Sequence, residues 1–248
     1  MLDNLTGYLL INKPKDISSF DCIRYLKKII KQKVKIGHTG TLDNFATGLL
    51  IICISRQATR LISSLMNLNK SYIFKAKLDE LTDTFDCTGK IIQTKESSNI
   101  KTENILTAIK ELGSSYMQVP PIYSALKYGG QPLYRLAREN KLEQDKLEEI
   151  IKQKSRKVNI DNIELINFES PFFTIDTTVS KGTYIRSLAN DIAQKLNSCA
   201  TTYELERTSI GPFNIKSSIK LTDLKSIQDI QEALIPIEKV MNLLSQPS

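Results

Sequence analysis

One stretch of this 248-residue chain has the composition of a reaction site: GHTGTLDNFATG, residues 37–48, gathers three glycines, three threonines, one histidine and one carboxylate, Asp43. Glycines at that density interrupt both helical and strand periodicity, so the stretch is a turn-rich loop. A carboxylate placed there has two open readings. It can close an Asx-turn on its own backbone, or it can be a nucleophile held up toward a substrate. A phosphate-binding loop is excluded, because no Lys-Ser or Lys-Thr pair closes a G-x-x-x-x-G spacing. Metal chemistry is not expected either: His38 is the only histidine, and Cys22, Cys53, Cys87 and Cys199 form no C-x-x-C pair.

The elements that must hold this loop are legible in the spacing of apolar residues. Residues 7–11 predict a short buried strand, ended by Lys13-Pro14. A helix should follow, with Ser19 as its cap and Phe20, Ile23, Leu26 and Ile30 at roughly helical spacing. Arg24, Lys27, Lys28 and Lys31 fall on one stripe of that helix. The apolar run 48–55 suits a central strand, and Ala58, Leu61, Ile62 and Leu65 mark an amphipathic helix. Further strands are predicted near 71–78, 157–168 and 172–179. Ile105, Leu106, Ile109 and Leu112 predict a helix capped by Thr102 and stopped by Gly113. Another helix should start near Thr183, with Ile185, Leu188, Ala189, Ile192, Ala193 and Leu196 inward. Helix and strand signals mix without regular βαβ alternation or a repeat, which favours an α+β fold.

Composition shifts between about 118 and 150. Pro120-Pro121 is followed by Tyr123, Lys127, Tyr128, two glycines, Tyr134, Arg135 and Arg138, then by a charged helical stretch. This predicts an inserted arm, and tyrosines interleaved with basic residues suit either anchoring on the body or stacking and phosphate contact. Across the chain 34 Lys and Arg outnumber 27 Asp and Glu, a formal charge of +7 that favours polyanionic partners. No stretch approaches the roughly 18 apolar residues of a membrane helix, and the N-terminal apolar run is too short for a signal peptide. A soluble, reduced, cytoplasmic protein is expected, folded as one elaborated domain.

GHTGTLD followed by ATGLL resembles the nucleophile loop of the TruB pseudouridine synthases. The resemblance continues in order along the chain: Lys13-Pro14 with Ser18-Ser19, KSYIFKAKL from Lys70, TDTFDCTGK from Thr82, PPIYSALKYGGQPLYRLAR from Pro120, SKGTYIRSLANDI from Ser180 and LERTSIGPF from Leu205. The chain departs from the family pattern where Asp16 stands for Gly, and where Asn44 and Ile51 stand for Pro. Residues 216–248 are too few for the full PUA-type domain that some relatives carry, so the resemblance implies a catalytic domain over 1–215 and a short extension.

The resemblance implies the pseudouridine synthase fold, a mixed and mainly antiparallel central sheet flanked by helices, with an RNA-contacting arm. It implies an isomerase that converts a uridine of the tRNA T-loop, at position 55, to pseudouridine. That reaction breaks and remakes a glycosidic bond without redox change, so no cofactor or metal is expected. By the same resemblance Asp43 is the nucleophile and Tyr72 stacks on the uracil and takes part in proton transfer. Tyr184 and Leu205 line the base pocket, and His38 fills the space left by the flipped base. An ionised nucleophile in a closed site needs a fixed cation, and Arg186 meets that need. RNA backbone contacts are expected from Arg24, Lys27, Lys28 and Lys31 and from Lys127 and Arg138 of the arm. The expected partner is the T-arm of tRNA, bound by a monomer without an obligate protein partner. The competing readings are a non-catalytic tRNA-binding or folding protein and a sister synthase acting on another RNA.

Overall fold

The structure, a computed structural model, describes residues 5–96, 99–139 and 141–245. The chain opens with β1 (Gly7–Lys13), α1 (Ser19–Ile30), β2 (Ile36–His38), β3 (Thr47–Ile54), α2 (Arg56–Thr59) and α3 (Ile62–Asn67). There follow β4 (Lys70–Leu78), β5 (Glu80–Thr82), β6 (Ile91–Thr94), α4 (Thr102–Leu112) and β7 (Ser115–Gln118). The arm segment holds β8 (Lys127–Tyr128), β9 (Gln131–Pro132), α5 (Leu133–Arg138) and α6 (Gln144–Gln153). Next come β10 (Arg156–Glu169), β11 (Phe172–Val179), α7 (Ile185–Lys195), β12 (Ala200–Ile210) and β13 (Phe213–Asn214). The chain closes with β14 (Ile219–Lys220), α8 (Ile227–Ala233) and α9 (Ile237–Ser245). Two compact units result: described residues up to Tyr72 together with those from Leu205 onward, and Ile73–Glu204.

In the first unit the strand order is β14-β1-β3-β12. β1 runs antiparallel to β3 from Gly7↔Ile54 to Lys13↔Gly48, β2 is antiparallel to β3, and β12 is parallel to it at Thr47 and Gly48. One sheet face packs Leu9, Ile11, Leu50, Ile52 and Ile54 against Cys22, Ile23, Leu26 and Ile30 of α1 and Ile230 of α8. The other packs Tyr8, Leu10, Leu49, Ile51 and Cys53 against Ala58, Leu65 and Val240. Burial on both faces is why the run after Gly48 is continuously apolar rather than alternating. Residues between 216 and 245 contribute to this core: β14 extends the sheet beside β1, Leu221, Leu224, Ile230 and Val240 are buried in it, and Tyr8 and Ile235 exchange backbone hydrogen bonds of 2.9 and 2.8 Å.

The second unit has the order β4-β11-β10-β7, with β10 antiparallel to both of its neighbours. Phe74 and Phe173 meet edge to face in its core, and α4 packs with α7. The arm leaves and re-enters where β7 and β10 pair, between the register partners Gln118 and Arg156. It has its own small apolar cluster of Leu133, Leu136, Leu147, Ile150 and Ile151. Both units mix helices with mainly antiparallel strands, the α+β class expected from the sequence.

Three local expectations are corrected. The cap of α1 is Ser18, not Ser19: the Ser18 hydroxyl accepts the N–H of Asp21, and the Asp21 carboxylate accepts that of Ser18, a reciprocal pair that Ser19 cannot form one residue on. The helix read over 58–65 is two short ones. Arg60 and Leu61 bond three residues back, and the Thr59 hydroxyl donates to Arg56 O, which tightens and ends the first. Thr102 is the first helical residue of α4 rather than its cap; the N–H of Lys101 donates to the Asn104 side chain. Gly113 stops that helix at φ 73°, as expected.

Candidate active site

Asp43 lies half-buried in the loop between β2 and β3 of the first unit, with Leu42 before it and Phe45 and Ala46 after it almost wholly buried. Those apolar residues anchor the loop from below, so the polar residue between them is held at the surface of the packing. The Ser19 hydroxyl takes the Leu42 N–H at 2.8 Å and donates to Leu42 O at 3.2 Å. Asn44 O accepts the Asp16 N–H at 2.8 Å, and Ala46 N–H returns to Asp43 O at 3.2 Å. A loop with no ladder of its own thus has its backbone groups satisfied from outside.

Two buried cations complete the hold. Arg207, on β12 and only 2% exposed, donates from Nε to Leu49 O at 2.7 Å and from Nη2 to Gly40 O at 3.3 Å. Gly48 makes its closest approach here: at φ 108°, a Cβ would overlap the Arg207 backbone. Lys13, fully buried at the end of β1, points Nζ at the carbonyls of Pro14, Ile17 and Asn44 at 2.8, 2.8 and 3.3 Å. Burial pushes its ammonium down to about 8, while Cys22 and the Asp43 carboxylate pull the other way. The loop bearing Asp43 is therefore set in a positive local field.

The other predicted residues of the first unit lie on β2, β12 and β4. His38 ends β2, and its Nδ1 accepts the Gly40 N–H at 3.3 Å, which puts the imidazole proton on Nε2. Burial, and then the Arg207 charge, lower its pKa, so the ring is neutral at physiological pH. Leu205 is 6% exposed and shares its face of β12 with Arg207, two residues on. Tyr72 is 9% exposed on β4, on the strand face that also carries Lys70 and Phe74.

In the second unit Arg186 occupies the first turn of α7 and is 4% exposed. Its Nη1 donates to Thr84 O at 2.5 Å and lies 3.4 Å from the Asp86 carboxylate, and its Nη2 donates to Tyr123 O at 3.0 Å. A cation in the first turn opposes the helix dipole at a cost of roughly 0.3–1 kcal/mol. A buried carboxylate and two carbonyls more than offset that. Tyr184 caps α7 through its backbone, and its ring lies under the Arg156 guanidinium at 5.1 Å.

Arg24, Lys27 and Lys28 are exposed on α1. Lys31, also exposed, lies just past its end as the C-cap at φ 50° and is not a fourth member of the helical stripe expected from the sequence. Arg24 differs from the lysines in being ion-paired to Asp21 and lying over the Phe20 ring at 5.1 Å. Lys127 and Arg138 are exposed on the arm. Among the described residues no helix is long and apolar enough to cross a membrane, and no three His, Cys, Asp or Glu side chains gather as a metal site.

Sequence reasoning missed Arg207, Lys13, Ser19 and Asp86 as holders of the site. A signal existed for two of them: Arg207 and Lys13 are charged residues in phase with the buried positions of their strands. Ser19 and Asp86 offered none, because their partners are remote in sequence.

The family description "TruB family pseudouridylate synthase (N terminal domain)" matches residues 27–185. The chain is 42% identical over 238 residues to "tRNA pseudouridine synthase B" of Clostridium tetani, covering 96% of this chain and 78% of that protein. It is 35% identical over 260 residues to mouse "Pseudouridylate synthase TRUB1", covering 99% and 74%. Among solved structures it superposes on a chain of "Crystal Structure of a Cbf5-Nop10-Gar1 Complex" with a TM-score of 0.72 at 25% identity, covering 97% of this chain and 63% of that one. A chain of "Structure of H/ACA RNP bound to a substrate RNA containing 2'-deoxyuridine" shares the fold with a TM-score of 0.69 at 23% identity, covering 96% and 61%. The present chain thus spans about three fifths of the length of those two chains.

Proposed function

The chain belongs to the TruB family of pseudouridylate synthases, and from that premise we propose that it isomerises a uridine in the T-loop of tRNA, position 55, to pseudouridine with Asp43 as nucleophile. The observation that carries the role of Asp43 is its setting: one carboxylate between buried Leu42 and Phe45, on a loop whose carbonyls are held by Lys13 and Arg207. A nucleophile must not drift, and the buried cations that hold the loop's carbonyls serve that need.

The remaining roles follow from the same reading. The enzyme extrudes the base from its stack at a cost of a few kcal/mol, and neutral His38 is suited to fill the gap by stacking. By the family resemblance Tyr72 stacks on the captive uracil, Tyr184 and Leu205 line its pocket, and Arg186 supplies the guanidinium. Rotation of the detached uracil needs no outside reductant or oxidant. Lys27, Lys28 and Lys31, with Lys127 and Arg138 of the arm, contact RNA phosphates, while Arg24, neutralised by Asp21, contributes less. The protein acts as a cytoplasmic monomer on the T-arm.

Incubation of the purified chain with unmodified tRNA transcript, followed by pseudouridine mapping, tests this reading. Product at the single T-loop position is expected. Binding without product favours a tRNA-folding role, and product confined to a different RNA favours a sister synthase.

A further inference from the structure

Both ends of the arm converge on one residue. Gln118, the last residue before the arm, and Arg156, the first after it, are register partners across β7 and β10. Each also grips Tyr184, but in a different place. The Gln118 carboxamide holds the backbone: its Oε1 accepts the Tyr184 N–H at 2.8 Å and its Nε2 donates to Tyr184 O at 3.1 Å. The Arg156 guanidinium covers the ring at 5.1 Å. Two residues before Tyr184, Gly182 at φ 82° leaves room for it, since a Cβ there would run into that guanidinium at 2.8 Å.

The donors and acceptors around Gln118 admit one arrangement. A backbone N–H can only donate, so Oε1 faces Tyr184 N and Nε2 faces both Tyr184 O and the Tyr116 hydroxyl, 2.7 Å away. The Tyr116 hydroxyl, accepting from Gln118, must then donate onward, and it does so to Asp191 Oδ2 at 2.7 Å. The carboxamide cannot flip without breaking this chain. Ser187, in the first turn of α7, adds a hydrogen bond to Val119 O at 2.9 Å, so the arm root and the helix start are joined at successive positions.

We propose that Gln118 and Arg156 are positioning residues for the isomerisation, holding Tyr184 by backbone and ring so that the start of α7, with Arg186 two residues on, is fixed by the root of the arm. This role rests on the activity proposed above. Neither residue need touch RNA; each acts through Tyr184, whose place sets the geometry on which a rate constant depends steeply.

The test is a single-turnover rate per active site, with the tRNA dissociation constant measured alongside, for wild type, Gln118→Leu, Arg156→Leu and the double variant. Each single variant is expected to lose about 10- to 100-fold in rate with affinity within about threefold. The double variant should lose less than the product of the two, because both act through one residue. Gln118→Glu supplies a second readout. Once protonated, a glutamic acid can accept from Tyr184 N and donate to Tyr184 O as glutamine does, so its rate relative to wild type should climb as pH falls from about 8 to 6. The ratio to wild type is read because Asp191, Tyr116 and the Arg156 guanidinium are the ionisable or charged neighbours of this site, and the wild-type profile carries their own pH dependence. Single variants with rates within twofold of wild type overturn the proposal, as do losses carried wholly by affinity. If Gln118→Leu does not fold, a flat Gln118→Glu ratio overturns it. A wild type that makes no pseudouridine sinks the functional reading beneath it, whereas an active wild type matched by its variants sinks this role alone.

Discussion

The loop bearing Asp43 and the first turn of α7 both hold polar side chains still, but the forces run in opposite directions. In the loop, side chains from regular elements reach in to hold an irregular backbone: Arg207 takes Gly40 O, Lys13 takes Asn44 O, and Ser19 takes both the N–H and C=O of Leu42. At α7 the backbone is already regular past Tyr184, and it is the outgoing side chains that are held, Arg186 by Thr84, Asp86 and Tyr123 and Ser187 by Val119. An irregular segment has no ladder to satisfy its carbonyls and depends on donors from elsewhere. A helix start depends on outside groups only for its charge and its first peptide. Deleting a holder should therefore move the loop, but should leave the α7 backbone in place while removing what it presents.

The difference is sharpest at Arg186. Arg186→Ala leaves the Asp86 carboxylate buried without this cation, and breaking a buried pair costs about 3–5 kcal/mol. Chemical denaturation should show that loss, with far-UV dichroism per folded molecule unchanged and turnover reduced at least about a hundredfold. Arg207→Met removes donors from the Gly40 carbonyl of the loop and the Leu49 carbonyl at the start of β3, an expected loss of about 2–4 kcal/mol. Its signature should be local: faster amide exchange at residues 39–46 than at α7. Equal exchange in both places would break the distinction. Gly48→Ala places a Cβ against the Arg207 backbone at φ 108°, for about 1–3 kcal/mol in melting experiments.

An effect of similar size belongs further along α7 and is read from pH. Burial raises the Asp191 carboxyl to about 6 against hydrogen bonds from Tyr116 and Gln118 that pull it down. Its folded pKa lies above the unfolded value near 4, so the stability linked to its protonated form is complete below about pH 4 and is lost as pH rises through about 6. Asp191→Asn keeps an acceptor for Tyr116 and removes that loss. The variant should gain about 1–3 kcal/mol on wild type at pH 7, and the gain should vanish below about pH 4. A gain independent of pH would contradict the assignment.

How much of this was legible in the sequence follows the same division. The α7 helix, its buried face and the position of Arg186 in its first turn were readable, because 3.6-residue periodicity survives without knowledge of partners. The loop was readable as an anomaly, since glycines and threonines crowd one carboxylate. Its supports were not. Ser18 and Ser19 are equivalent as letters, and only the fold shows that one caps α1 while the other reaches Leu42. Asp86 and Gln118 are far in sequence from Arg186 and Tyr184, and no local pattern pairs them. Arg207 lies in the same family-like stretch as Leu205, two residues on, and strand alternation turns both inward.

The most direct measurement on the central claim is single-turnover conversion of tRNA by Asp43→Asn, with binding measured on the same preparation. The substitution keeps the side chain's shape and removes its charge and nucleophilicity. Product formation should fall by about a thousandfold or more while the dissociation constant stays within about threefold of wild type. Turnover within tenfold of wild type would show that the carboxylate of Asp43 is not the group that attacks.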